Sequence, residues 1–547
     1  MFDIDIYEYD EKRDGDRCWL SGALWAFPPW PPLMRQWLDG TAYGIWRAYD
    51  MWDVPGTHGW DVRVKDGVFY ITSLLVESEE ERKEREKRFL AKTAKVREDP
   101  FEFWNSYKPQ LQETIDQLFS FDVEKAINAD LADHIYDCVD GTRRMSTKIH
   151  YYAMAVLGAL AFYFRDILAK YTGILPSDTK FSKLVSGSDA MVYKANKEIG
   201  KLATRAMKLG LRELFETLEP EEVLPELEKS DNGRKWILEF NEFMKVYGRR
   251  TQIHGLYKPS WFEKPAIPIL EVRRMMAMGG IYAPDLKREE LVKDRNEIEK
   301  EVLSMIPEGE RPLFKELLRC AQGWSYFNED HIYYCEFAFF SLLRRAGIEA
   351  GKRLVKEGIF DEPIDAIYLY PVELQIALHP YGNKSGTRNI LKKRKEEYNR
   401  YLKAEHPPVL GDGSKFAEMV HYDPILAIGI AFPIGNPEEM GATLVGGAGA
   451  PGVVEGLARV IMSVDEIGQI QPGEILVAPA TSPQWVTVFG IIKGVVTDLG
   501  GPLAHTVLVA REYGMPCVVA TMEATKEIRT GQRIKVDGNS LLVYLLD

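Results

Sequence analysis

The chain has 547 residues, of which 46% are hydrophobic and 28% charged, the composition of a folded globular protein with room for about two to four domains. Its formal net charge of -13 argues against nucleic acid as a main partner, because phosphate binding needs a basic surface. Five scattered cysteines without a CxxC pair lack the spacing of a zinc site and point to reduced thiols in a cytosol.

The N-terminus, "MFDIDIYEYDEKRDGD", is acidic and has no signal-peptide core. Residues 1–72 are rich in Trp and Pro and close on "VRVKDGVFYI", a hairpin expected to turn at Asp66-Gly67. From Glu77 to Asp99 a run dense in Glu, Lys and Arg reads as a solvated helix face. Helical spacing then dominates to about residue 405. Its most apolar stretch, Tyr151 to Phe164, is followed by Arg165 and Asp166. That is shorter than the ~20 residues that span a bilayer, so a buried core helix is expected and no membrane contact. Beyond His406 the composition turns to Pro, Gly and short apolar runs. Residues 436–450 read as a flexible linker, with Gly441, Gly446, Gly447 and Gly449 freeing the backbone and Pro437 restricting it. The last ~105 residues alternate short strands and turns. The fold class expected is therefore multidomain: a large, mostly α-helical domain over 1–435, then a small α/β domain over 451–547.

Within that last domain stands "TDLGGPLAHTVLVAREYGMPCVV", Thr497 to Val519. It reads as strand, turn, helix, strand, with the helix closing at Gly514. His505 at the mouth of an apolar helix is, taken alone, an ordinary capping residue. Several stretches in order change that: "GAPGVVEGLARV", "PGEILVAPATSPQW", the His505 stretch and "IRTGQRIKVDG". Together they resemble the mobile phosphohistidine domain of phosphoenolpyruvate-utilising enzymes. The resemblance implies that His505 is phosphorylated on its ring and that the domain swivels to carry the phosphoryl group between two sites.

The residues fit that role. A neutral imidazole offers a lone pair to phosphorus, and a helix N-terminus favours the anion formed. Gly500 and Gly501 would let the backbone approach the phosphate. Arg511 would supply a cation oriented by Glu512, a pair that reads equally as an ordinary helical ion pair. The family carries Ser, Thr or Cys just before the histidine; here it is Ala504, which leaves Thr497 or Thr506 as the nearest hydroxyls.

The large domain shows neither an ATP-grasp pattern nor the eight strand-helix units of a barrel. Four stretches resemble the helical substrate domain of rifampicin phosphotransferase and the histidine-bearing subunit of phenylphosphate synthase: "WAFPPWPPLM", "YGRRTQIHGLYKPSWFEKP", "NEDHIYYCEFAFFSLLRRAGIEAGKRL" and "HYDPILAIGI". Asp330 and His331 are expected at a helix start, Asp330 orienting His331 as general base toward an acceptor hydroxyl; the plainer reading is a cap and a surface histidine. Arg249 and Arg250 would clamp the travelling phosphoryl group, or form a structural ion pair. The resemblance adds His254, Glu336 and Arg344 as substrate-binding residues, although His254 and Leu256 stand where relatives tend to be acidic. His150, on the apolar helix, reads as a core histidine.

The function this implies is a cytoplasmic phosphotransferase subunit. A separate ATP-grasp subunit, binding ATP and Mg2+, loads His505; the phosphoryl group passes to a small hydroxylated acceptor such as phenol, with AMP and phosphate as by-products. Other acceptors (an antibiotic, an alcohol, an amine or amide nitrogen) keep the same machinery, and a regulatory phosphocarrier is the reading from another class. No metal site is expected on this chain.

Overall fold

The computed structural model describes residues 7–546 apart from 23–28, 188–189, 252–254, 278, 280–282, 432 and 482. Its contacts group the chain into two units. One comprises Met1–Ala159, Ile253–Pro259 and Tyr334–Leu426, the other Leu160–Gln252, Ser260–Tyr333 and Ala427–Asp547. The helices that matter below are, in chain order, α1 (Gln36–Trp52), α2 (Asn128–Met145), α3 (Tyr151–Thr172), α4 (Thr179–Leu184), α5 (Met191–Lys208), α6 (Asp231–Tyr247), α7 (Arg311–His331), α8 (Ala338–Lys356) and α9 (His505–Glu512).

The first unit holds a four-stranded sheet in the order β2-β3-β1-β4, from β1 (Cys18–Ser21), β2 (Thr57–Lys65), β3 (Val68–Leu75) and β4 (Val409–Gly411). The hairpin turns where the sequence places it. Lys65 pairs with Val68, and Asp66 and Gly67 both have positive φ, 49° and 76°. Two such residues match the right-handed twist of the strands they join. Helix α1 lies close on β2 at Gly59, where a Cβ would stand 2.5 Å from the Trp46 Cα. Asp423, fully buried, accepts from Ser73 Oγ (2.6 Å), Trp60 Nε1 (2.7 Å) and the backbone of Ile425 and Leu426. It fastens the "HYDP" segment to the sheet.

Helix α3 is 22 residues long and opens with the apolar stretch Tyr151–Phe164. With α2 and the intervening π turn Ser146–His150 it forms a run, Asn128–Thr172, that is long and apolar enough to cross a membrane. Yet Ala153, Val156, Leu157, Leu160, Phe164 and Leu168 along it are all fully buried, the pattern of a core helix.

The second unit carries an eight-stranded sheet in the order β5-β12-β11-β7-β8-β9-β10-β6. Its strands are β5 (Leu444–Val445), β6 (Ala448–Ala450), β7 (Val453–Val460), β8 (Ile475–Ala478), β9 (Gly494–Thr497), β10 (Cys517–Val519), β11 (Arg533–Asp537) and β12 (Leu542–Leu545). β7, β8, β9 and β10 run parallel in succession. β8, β9 and β10 are buried on both faces, which is why they read as continuous apolar runs. The core joins Ile475, Val477, Val496, Val518, Ile534 and Val536. A large, mostly helical region followed by a small α/β domain is thus the architecture in chain order.

The linker expected over 436–450 differs from that reading in its second half. Residues 444–445 and 448–450 are strands β5 and β6, at the two edges of the sheet. The glycines there serve close packing. A Cβ on Gly446 would stand 2.4 Å from the Val518 side chain, and one on Gly449 would stand 2.2 Å from Cys517 O.

Candidate phosphohistidine site

Strand β9 ends at Thr497, and the turn after it delivers His505 as the first residue of α9, which leads into β10. This crossover between the parallel strands β9 and β10 is the strand-turn-helix-strand unit read from sequence. Gly500 holds φ at 145°, a backbone conformation that suits glycine. Gly501 is required by proximity, because a Cβ there would lie 2.5 Å from Gly429 C and 2.6 Å from Ile430 N. Two backbone hydrogen bonds lace that upstream segment to the turn: Ala431 N donates to Gly500 O (2.9 Å) and Leu503 N to Ile428 O (3.2 Å). Gly501 therefore admits protein backbone on the face described here, and Gly500 faces the Val519 side chain.

The His505 ring is 9% exposed. Its Nδ1 lies 2.8 Å from Glu329 Oε2, and Glu329 is fully buried near the end of α7. A carboxylate only accepts, so Nδ1 carries the proton and donates. The lone pair is then on Nε2, which is buried and takes no hydrogen bond among the described residues. The edge of Phe489 approaches the ring at 6.5 Å between centroids, and Asn328 Nδ2 donates to the other Glu329 oxygen at 3.2 Å. Chemically, this is an imidazole held in one tautomer with its nucleophilic nitrogen defined.

The far end of α9 is tied down as well. Gly187 N donates to Glu512 Oε1 (2.7 Å), and Asn196 Nδ2 donates to the Tyr513 hydroxyl (3.2 Å). Arg511, expected as a phosphate cation, has another use. Its two terminal nitrogens donate to Ser182 O (2.7 Å) and Pro502 O (3.0 Å), and burial pushes its guanidinium down to about 10. A buried cation spent on two carbonyls fixes the turn. The Thr497 hydroxyl likewise donates within the turn, to Leu499 O at 2.7 Å. Thr506 Oγ1 pairs with Thr481 Oγ1 at 2.8 Å.

Asp330 and His331 are the last two residues of α7, so they close a helix where the sequence suggested a start. The helix begins at Arg311-Pro312, with Pro in its first turn. Asp330 Oδ1 accepts from Met191 N (2.8 Å) at the start of α5. The proton on His331 Nδ1 is fixed by its own helix, through donation to Phe327 O at 2.9 Å, and its ring stacks on Phe327. Arg249 and Arg250 are both buried after α6. Arg250 Nη1 donates to Asn196 Oδ1 (3.3 Å) and its guanidinium lies 5.0 Å from the Trp261 ring. Arg250, Asn196 and Tyr513 thus form one chain of contacts ending just after the helix that carries His505.

The remaining expected substrate residues belong to the first unit or lie outside the described residues. Glu336 is half-buried in the π turn Ile332–Phe337. Arg344 is buried on α8, where its Nη1 donates to Leu256 O. His254 lies outside the described residues. A cavity of about 20 Å³ lined by Trp37, Phe340, Leu343 and Arg143 lies in the same unit; it is water-sized, too small as it stands for an aromatic ring.

Glu329, Asn196 and Tyr513 were not singled out from sequence. Glu329 stands inside the "NEDH" stretch, so the right segment was marked with attention on the wrong acid.

Known proteins place these elements. The family described as PEP-utilising enzyme, mobile domain, matches residues 470–540, and the rifampicin phosphotransferase fourth domain matches 148–329. The chain is 28% identical over 334 residues to an uncharacterized phosphotransferase, YvkC, of Bacillus subtilis, covering 60% of this chain and 39% of that protein. It is 30% identical over 336 residues to a rifampicin phosphotransferase of Bacillus cereus, covering 60% and 36%. A rifampicin phosphotransferase of Bacillus subtilis matches at 29% over 322 residues, covering 58% and 35%. The chain thus spans less than half the length of these curated relatives. One match ends at Glu329 and the other contains His505, so the two residues joined in the site both lie in stretches similar to phosphoenolpyruvate-utilising phosphotransferases.

Proposed function

We propose that this chain is the phosphotransfer component of a split dikinase-like enzyme, similar to the histidine-bearing subunit of phenylphosphate synthase. A separate ATP-grasp subunit, holding ATP and Mg2+, loads the β-phosphoryl group onto Nε2 of His505; water takes the γ-phosphoryl group, so AMP and phosphate leave. The loaded ring is cationic, with its Nδ1 proton facing Glu329. On delivery the acceptor oxygen forms its bond to phosphorus as the P–Nε2 bond breaks, and that electron pair returns to Nε2. The acceptor proton goes to a base. His331 suits that task, since its Nδ1 donation to Phe327 O leaves the basic lone pair on Nε2. The acceptor class is a small hydroxylated aromatic such as phenol. The observation that carries the reading is the 2.8 Å contact between His505 Nδ1 and the buried Glu329 carboxylate, which leaves Nε2 as the nucleophile.

A second acceptor is favoured by the names of relatives: an antibiotic hydroxyl, as in the rifampicin phosphotransferases. The test is to incubate the chain with an ATP-grasp partner and ATP labelled on the β-phosphate, then with phenol or rifampicin. Acid-labile, base-stable label is expected on the native protein and none on His505→Ala, followed by transfer to one acceptor. Label retained by His505→Ala would overturn the assignment. The localisation that goes with this reading is cytoplasmic.

A further inference from the structure

Two buried polar atoms in the second unit have no hydrogen-bond partner among the described residues and belong to side chains that interact with Glu329. One is Nε2 of His505, an acceptor; the other is the hydroxyl of Tyr193, a donor. Tyr193 is only 5% exposed and stands in the first turn of α5. That turn abuts the end of α7, because Met191 N donates to Asp330 Oδ1, next to Glu329. One turn along α5, Asn196 reaches Tyr513 at the end of α9. The start of α5 is therefore tied to the residue after the carboxylate that holds His505 and to the residue after the helix that carries it. Burial, with the Glu329 and Glu512 carboxylates nearby, holds the Tyr193 phenol well above its usual range, so it is a proton donor at neutral pH.

An unpartnered buried hydroxyl is costly, and phenylalanine would fill the same volume without it. A ligand bearing anionic oxygens on Nε2 would satisfy both atoms at once. We propose that the Tyr193 hydroxyl donates a hydrogen bond to the phosphoryl group carried on Nε2 of His505, making Tyr193 a phosphoryl-binding residue of the transfer step. This rests on the phosphohistidine reading above and assigns the residue that recognises the group once it is there.

The test uses the full chain and potassium phosphoramidate, a small donor that phosphorylates imidazoles without a partner subunit. Native protein and His505→Ala are treated first. Absence of His505-dependent, acid-labile phosphate would overturn the phosphohistidine reading itself. With that phosphate present, Tyr193→Phe is compared with native protein by the pH titration of the phosphoryl ³¹P resonance and by thermal melting. A donor to the charged oxygens holds their titration low, so the variant midpoint is expected to rise by about one pH unit, a tenfold change in proton affinity. The melting temperature is expected to stay or rise, since an orphaned hydroxyl has been removed. A midpoint equal to native, or a lowered melting temperature, would overturn the role of Tyr193 while leaving His505 in place.

Discussion

Replacing Glu329 by Gln tests the geometry of the site most directly. Gln has the same size and keeps an acceptor for His505 Nδ1, so the 2.8 Å contact can be remade; only the charge is lost. The carboxylate is fully buried, so water cannot screen or replace it. Its worth lies in the phosphorylated state, where the ring is cationic and the pair is charge-assisted. Hydrogen bonds to charged groups contribute roughly 1.5–3 kcal/mol against 0.5–1.5 for neutral ones. The difference, about 1–1.5 kcal/mol, is lost from the phosphorylated state and is about a fivefold to tenfold smaller equilibrium constant for loading His505. Glu329→Leu removes the acceptor too and orphans Nδ1, which adds roughly another tenfold. The assay compares the equilibrium level of acid-labile phosphate on each protein over a range of phosphoryl-donor concentrations. Glu329→Gln loaded within roughly twofold of native, or as poorly as Glu329→Leu, would refute the reasoning.

Gly501→Ala is expected to push the Gly429–Ile430 backbone off the phosphohistidine turn, since both contacts are under 3.0 Å; overpacking of this kind costs about 1–3 kcal/mol, read as a lower melting temperature. All five cysteines are buried and none is in a disulfide, and burial pushes Cys18 up to about 11 and Cys138 and Cys517 up to about 12. A thiol-reactive chromophore should therefore give no signal until denaturant is added. For Asp14, burial acts to raise the carboxyl, but the Arg13 and Arg63 guanidinia and the Asp10 amide bring it down to about 2, against an ordinary 3.8. A folded value below the unfolded one means stability that is present above about pH 3.8 and lost as pH falls toward about 2. Asp14→Asn should lower the melting temperature at pH 7 and lose that deficit at pH 2; a deficit independent of pH would show that the carboxylate charge is not its cause.

What could be read from sequence was local. The turn at Asp66-Gly67 and the strand-turn-helix-strand around His505 each follow from residues a few positions apart. Glu329 and His505 are 176 positions apart, and nothing in either neighbourhood announces the other. The Asp330-His331 pair misled for a related reason. An Asn-Glu-Asp sequence resembles a helix cap, but the apolar spacing of Phe314, Leu317, Leu318, Ala321 and Trp324 had already committed the chain to helix. Arg511 looked like a free cation because its carbonyl partners, Ser182 and Pro502, give no side-chain signal of their own. Glycines 446 and 449 read as hinge residues for the same reason, since flexibility and close packing place the same demand on composition.

The lacing of residues 428–431 to 500–503 bears on where this domain can be cut free. The matched stretch 470–540 is a unit of sequence comparison, and excised at those bounds it would lose β5, β6, β7 and β12. β7 bridges β11 and β8, so its removal would split the sheet along its middle. A fragment starting at β5 would restore the sheet and still leave the turn before His505 without its two backbone bonds. The smallest piece that keeps both backbone bonds of the turn before His505 begins at or before Ile428, about 77 residues ahead of that histidine, and it still lacks Glu329, the partner of the ring.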